Sequence, residues 1–187
     1  MLSPDKPASA STAVPSPETD DPSRQLLRDQ NRQAEQELAA VQVANLDKLT
    51  LLPNPHGFAV LAGDALQVCK DLHRPATLLL FELDDLHRIS RAYGQDEGEA
   101  ALKTFADGLR IAFRDGDVVG HLEYQRFVVL LTGSERVEKL AIIARLQNIL
   151  DERTSASQRA YDISFSIGQI EFDPEQPVDV DGLLAQL

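Results

Sequence analysis

The segment Asp117-Val-Val-Gly-His-Leu-Glu-Tyr-Gln-Arg-Phe-Val-Val-Leu-Leu131 limits the fold more tightly than any other. Its flanks alternate and then run apolar around a short polar apex, Glu123-Tyr124-Gln125-Arg126, a pattern that predicts a buried β-hairpin. The apex carries large and charged side chains, so the framework of the turn and its chemistry point in different directions. A second continuous apolar run, Ala76 to Leu83, predicts a central strand covered on both faces.

The other elements follow from spacing. Asn54 followed by Pro55 is a strong helix start, since Asn caps free amides and proline at the first helical position loses no bond. Phe58, Leu61, Ala62, Ala65, Leu66, Cys69 and Leu72 then mark one buried face. Asp84 is expected to cap a short helix carrying Leu86, Ile89 and Tyr93. Gly94 to Gly98 reads as a loop, and Ala100 to Phe113 as a helix with Leu102, Phe105 and Leu109 inward. After the hairpin, a helix is expected from about Glu135 to Arg153 on Val137, Leu140, Ile143, Ala144 and Leu150, then a strand from Tyr161 to Phe172 and a helix beginning at Asp181. From Ala76 onward the order β-α-α-β-β-α-β-α implies an α/β (α+β) domain, with a mixed central sheet flanked by helices.

Residues 1–22 are rich in Ser, Pro, Thr, Ala and Asp, a composition expected to stay disordered because it buries too little apolar surface to offset ordering entropy. Residues 23–46 turn helix-friendly. Leu27, Ala34 and Val41 are spaced by seven, with Asn31, Leu38 and Asn45 offset by four. This is either a short coiled coil, giving a homodimer through the N-terminal helix, or a linker helix packed on its own domain.

At 187 residues with a hydrophobic fraction of 43%, the chain suits one domain plus an appendage. A formal charge of -12 disfavours nucleic acid and anionic membrane surfaces as partners. One cysteine, Cys69, leaves no disulfide framework and reads as packing. No apolar run approaches the ~18 residues of a membrane span and the N-terminus lacks a signal-peptide layout, so a cytoplasmic protein is expected. His56, His73, His87 and His121 lack metal-ligand spacing and read as surface or packed side chains, and no metal site follows. Arg88 and Arg91 give the short helix a basic face that either meets an acidic partner or balances neighbouring acids.

The hairpin resembles the signature turn of GGDEF domains, the diguanylate cyclase family, in which two glycines, two acids and a phenylalanine lie between similar strands. Of those five, Phe127 alone matches. The resemblance extends from about Asp47 to Leu187. Asp47-Lys48-Leu49-Thr50-Leu51-Leu52-Pro53-Asn54 is similar to the family's Asp-x-Leu-Thr-Gly-Leu-Pro-Asn, and Phe81-Glu82-Leu83-Asp84 to its Phe-Asp-Leu-Asp strand end. Tyr93-Gly94, Gly98-Glu99 and Ile163-Ser164-Phe165-Ser166-Ile167-Gly168 fall where the family has matching pieces. The resemblance implies the palm-like nucleotide-cyclase fold over residues 47–187.

It also implies altered chemistry. The family holds Mg²⁺ with one carboxylate from the strand end and one from the hairpin; by position these are Glu82, a longer acid, and Arg126, a fixed cation that repels a metal. The two glycines that let amides approach phosphate are Glu123 and Tyr124 here, and Gln125 takes the place of the first acid. The guanine-reading Asn and Asp correspond to Ser90 and Glu99. The family's phosphate-contacting residues lie in a final helix beyond Leu187. The resemblance therefore implies a degenerate former active site (Glu82, Ser90, Glu99, Glu123, Tyr124, Gln125, Arg126) with no catalytic residue, no metal and no Mg²⁺ cofactor.

Arg114-Asp115-Gly116-Asp117 is similar to the family's Arg-x-x-Asp allosteric site for cyclic di-GMP, with Arg145 placed where the family supplies a supporting arginine. An arginine fork donates to guanine O6 and N7, while a carboxylate accepts from N1 and N2 or orients the arginine. The same residues also read as ordinary helix-exit chemistry. Three functions follow: a cyclic di-GMP receptor that signals to a protein partner of unstated identity, a ligand-independent interaction or dimerisation module, or a residual cyclase.

Overall fold

The computed structural model describes residues 22–133, 138–173 and 180–184. Residues 1–21 of the Ser/Pro-rich tail lie outside the described residues, as do Glu135 and Val137 of the helix expected after the hairpin. Helix α1 spans Pro22–Ala44, with Leu26 and Leu27 exposed.

The domain proper runs α2 (Pro55–Asp71), β1 (Ala76–Leu83), α3 (Leu86–Tyr93), α4 (Gln95–Ala112), β2 (Val118–Glu123), β3 (Arg126–Thr132), α5 (Lys139–Ala156), β4 (Phe165–Phe172) and α6 (Val180–Leu184). The sheet order is β2-β3-β1-β4, so the apolar runs of β1 and β3 occupy the centre as expected. Among the described residues every strand pair is antiparallel, in contrast to the mixed sheet expected from element order. The two-helix crossover from β1 delivers the chain to the sheet edge as β2, and the tight hairpin then returns β3 alongside β1.

Successive residues of a strand face opposite sides, and two cores result. Leu79, Phe81, Leu83, Phe127, Val129 and Leu131 pack beneath α3, α4 and α5 with Leu102, Phe105, Leu109, Leu146 and Leu150. Leu78, Val128 and Leu130 meet Phe58, Ala62, Leu66 and Cys69 of α2 on the other face. Burying a side chain of this size is worth about 1.5–3 kcal/mol. Phe81, Phe105, Phe127 and Phe165 meet edge-on or tilted, with centroids 5.1–6.1 Å apart.

Several expectations are corrected. Asn54 caps α2 as expected, its side chain accepting from the Gly57 amide, but Leu61 and Leu72 are exposed. The residue preceding α3 is Asp85, at φ 57 and without a side-chain cap bond; the Asp84 amide instead donates to the Ser164 carbonyl. Helix α4 begins at Gln95, so the expected loop is its first turn, with Asp96 and Glu97 placed favourably at the positive end of the helix dipole. Gly98 is required there because a Cβ would collide with the Ser90 side chain. Tyr161 fixes that turn by donating to the Glu97 carboxylate at 2.8 Å and to its carbonyl at 3.1 Å. Burial and the Glu97 bond push the Tyr161 phenol up to about 12, so it remains a donor. Helix α5 turns its Ile142, Leu146, Ile149 and Leu150 stripe inward and leaves Leu140 82% exposed, with Ala144 also exposed. Strand β4 starts at Phe165 rather than Tyr161.

Candidate functional site

At the end of β1, antiparallel register places Glu82 directly opposite Arg126 on β3. The hairpin closes on a Glu123–Arg126 pair with Tyr124 and Gln125 as the two turn residues, a tighter apex than the four-residue span read from sequence. Gln125 folds back: its amide Nε2 donates to Glu82 Oε1 at 2.9 Å, while its carbonyl accepts from the Leu83 amide at 2.9 Å. Arg126 Nη1 lies 3.8 Å from Glu123 Oε1, a solvent-facing pair worth little in stability. Each charged group at the apex thus has an internal partner. Among the described residues no three His, Cys, Asp or Glu side chains converge as metal ligands.

Tyr124 sits at φ 47 with 81% of its surface exposed. That is the left-handed region in which glycine carries no steric cost, and a tyrosine there stores strain on the order of 1–2 kcal/mol. The backbone here takes a conformation that glycine would adopt without that cost.

His121, which sequence spacing left as a packed or surface residue, braces this turn. Its ring is buried and stacks on Phe127 at 4.3 Å and 11°. Nε2 lies 2.9 Å from the Tyr124 carbonyl, and Nδ1 lies 3.0 Å from Asp47 Oδ1. The same carboxylate oxygen accepts from the Thr50 amide at 2.7 Å and hydroxyl at 2.6 Å. Burial pushes the Asp47 carboxyl up, but the Thr50 bonds and His121 outweigh it and hold it below its ordinary value. The signal available in sequence was the Asp47-to-Thr50 motif; its partner lies 71 residues from Thr50 and is visible only in the fold.

Ser90 packs against Gly98 of α4, and Ser90 and Glu99 each bond within their own helix. Ser90 Oγ donates to the Leu86 carbonyl at 3.0 Å, and Glu99 accepts from Gln95 at 3.2 Å.

Farther along the hairpin, residues 114–117 form a turn in which the Asp117 amide donates to the Arg114 carbonyl at 2.9 Å. The Asp117 carboxylate accepts from the amides of Arg114, at 3.1 Å, and Thr132, at 3.4 Å, so it shapes the turn. The Arg114 guanidinium makes no hydrogen bond or ion pair among the described residues. Arg114 and Asp117 line one groove of about 440 Å³ with Leu52, Leu61, Arg110 and Phe113. Arg110 is already committed, donating to the Thr50 carbonyl at 2.8 Å and to Asp107 at 3.1 Å. Arg145 is not part of the groove wall; its guanidinium lies 5.8 Å from the centroid of the Phe113 ring.

Comparison with known proteins bears on the family and the fold. A diguanylate cyclase GGDEF-domain family model matches residues 44–186. The cyclic di-GMP phosphodiesterase NbdA of Pseudomonas aeruginosa is 28% identical over 127 residues, 68% of this chain and 16% of that protein. The diguanylate cyclase DgcP of Escherichia coli is 25% identical over 162 residues, 86% of this chain and 47% of that protein. The chain thus spans less than half the length of either relative. Among solved structures, one comprising only the GGDEF domain of TpbB from P. aeruginosa superposes at TM-score 0.65 with 25% identity, over 75% of this chain and 82% of that one. The coiled coil and GGDEF domain of DgcB from Caulobacter crescentus, solved with c-di-GMP, superposes at TM-score 0.67 with 15% identity, over 82% of each chain. The antiparallel sheet, the two-helix crossover and a family match across most of the chain establish that this protein belongs to the GGDEF-domain family.

Proposed function

We propose that this GGDEF domain makes no cyclic di-GMP and instead binds it, at the groove of Arg114 and Asp117, relaying occupancy to a protein partner. The observation that carries the reading is the contrast between two sites on one hairpin. At the apex every charge has an internal partner, whereas the Arg114 guanidinium has none among the described residues and stands free at a groove wall.

The apex donor set does not suit Mg²⁺. Magnesium takes oxygen ligands at short octahedral distances, and here one acid, Glu82, is occupied by an amide and paired in register with an arginine rather than a second acid. Tyr124 and Glu123 replace the open backbone that a triphosphate would approach, and Ser90 spends its hydroxyl on its own helix.

The groove supplies what a guanine needs. A free guanidinium is a two-pronged donor for O6 and N7, Asp117 holds the turn that presents it, and Leu52, Leu61 and Phe113 offer apolar surface to a base. Arg145, stacked on Phe113, adds positive potential near that wall. The DgcB neighbour solved with c-di-GMP supports the ligand class. Exposed Leu26 and Leu27 on α1 support pairing of that helix with a second copy. Incubation of the protein with GTP and Mg²⁺ or Mn²⁺ is expected to leave GTP unconsumed; cyclic di-GMP on chromatography would refute the inactive reading.

A further inference from the structure

The C-terminal end of α2 leaves apolar side chains exposed. Leu72, expected from its spacing to lie in the core, is 55% exposed, and Val68, one turn before it, is 56% exposed. Both border a cavity of about 250 Å³ between α2 and the open end of the hairpin, where Ala65 and Cys69 complete an apolar floor.

The facing wall is polar and already fixed. It consists of Arg74 after α2, Gly116 before β2, and Thr132 and Gly133 at the end of β3. The Gly133 amide donates to the Pro75 carbonyl at 3.0 Å, and the Thr132 hydroxyl donates to the Gly116 carbonyl at 3.2 Å. The Arg74 amide donates to the Cys69 carbonyl at 2.8 Å, which anchors that arginine to the end of the helix. Its guanidinium makes no hydrogen bond or ion pair among the described residues. Among the described residues bordering the cavity, Arg74 alone is charged.

An unpaired guanidinium beside apolar surface selects a ligand that has both parts. A carboxylate matches the planar fork of arginine, and a compact apolar body matches the floor. An apolar cavity of about 150 Å³ takes benzene, so about 250 Å³ leaves room for one ring and a carboxylate. With one guanidinium in the cavity and a formal charge of -12 on the chain, a singly charged ligand is favoured over a phosphate dianion. We propose that this cavity binds a small apolar monocarboxylate of the size of an aromatic acid. It is a separate site: Gly116 belongs to the same turn as Arg114 and Asp117, but the cavity and their groove share no bordering residue.

Titration of the ¹⁵N-labelled full chain with sodium benzoate tests the proposal. The amides of Gly116, Thr132 and Gly133 are expected to shift together and saturate with a Kd of about 1 mM or below, the range open to a ligand of so few heavy atoms. Benzyl alcohol carries the ring without the charge, and acetate the charge without the ring; each is expected to bind about tenfold more weakly. Arg74→Gln removes the charge from a side chain that has no partner to lose. It is expected to leave the rest of the spectrum in place and to weaken benzoate about tenfold. No saturating shift with benzoate, benzyl alcohol or acetate binding as tightly as benzoate, or equal benzoate affinity in Arg74→Gln overturns the proposal. The titration contains no cyclic di-GMP, so its outcome is independent of the binding reading at Arg114.

Discussion

Replacing Tyr124 by glycine and, separately, by alanine tests whether the apex keeps the backbone of a glycine turn without the glycine. Both substitutions remove the same exposed side chain, which makes few contacts, so their difference isolates the backbone. At an ordinary position alanine is the more stable by about 0.5–1 kcal/mol, because glycine loses more freedom on folding. At φ 47 the order inverts. Alanine pays about 1–2 kcal/mol for the left-handed region, which exceeds the entropic deficit of glycine and leaves glycine ahead by about 0.5–1 kcal/mol. For a domain of this size that is a rise of about 1–4 °C in Tm. Urea denaturation followed by far-UV circular dichroism measures it, with equal slopes confirming that both variants unfold alike. An alanine variant equal to or more stable than the glycine variant would refute the reasoning.

Other perturbations test neighbouring parts. Gly120→Ala places a Cβ against the Phe58 ring and is expected to cost about 1–3 kcal/mol in urea melts. Phe127→Ala empties the centre of the larger core and is expected to cost about 3–5 kcal/mol by the same assay. Asp47 contributes stability because its folded carboxyl titrates below its ordinary value. That contribution is complete above the unfolded value and is lost as pH falls through the folded one, so Asp47→Asn is expected to destabilise at pH 7 and to match the unmodified protein in strong acid.

The parts legible in sequence were those set by local rules. Continuous apolar runs gave β1 and β3, Asn54-Pro55 gave the start of α2, and the period of Leu102, Phe105 and Leu109 gave the face of α4. Where the pattern was ambiguous, the reading failed. Helix α5 spreads its apolar residues around its circumference among polar ones, so Leu140 fitted a buried stripe as well as Leu146 did. Gly98 reads as a loop residue until α3 is seen pressed against it. At the site, identity was readable and partnership was not. Arg126 and Glu82 could be singled out by position, but the Gln125 bond that engages Glu82 depends on how the turn folds. His121 had no motif of its own, because its importance lies in contacts with a segment more than seventy residues away.

The reading rests most heavily on the free guanidinium of Arg114. Isothermal titration of the full chain with cyclic di-GMP, beside Arg114→Ala, tests it directly. Because that guanidinium has no partner among the described residues, the substitution is expected to leave the urea midpoint unchanged while removing binding. Binding at micromolar or tighter concentration in the parent and none in the variant is the expected result. No heat from the parent at high ligand, or equal affinity in both proteins, contradicts the account.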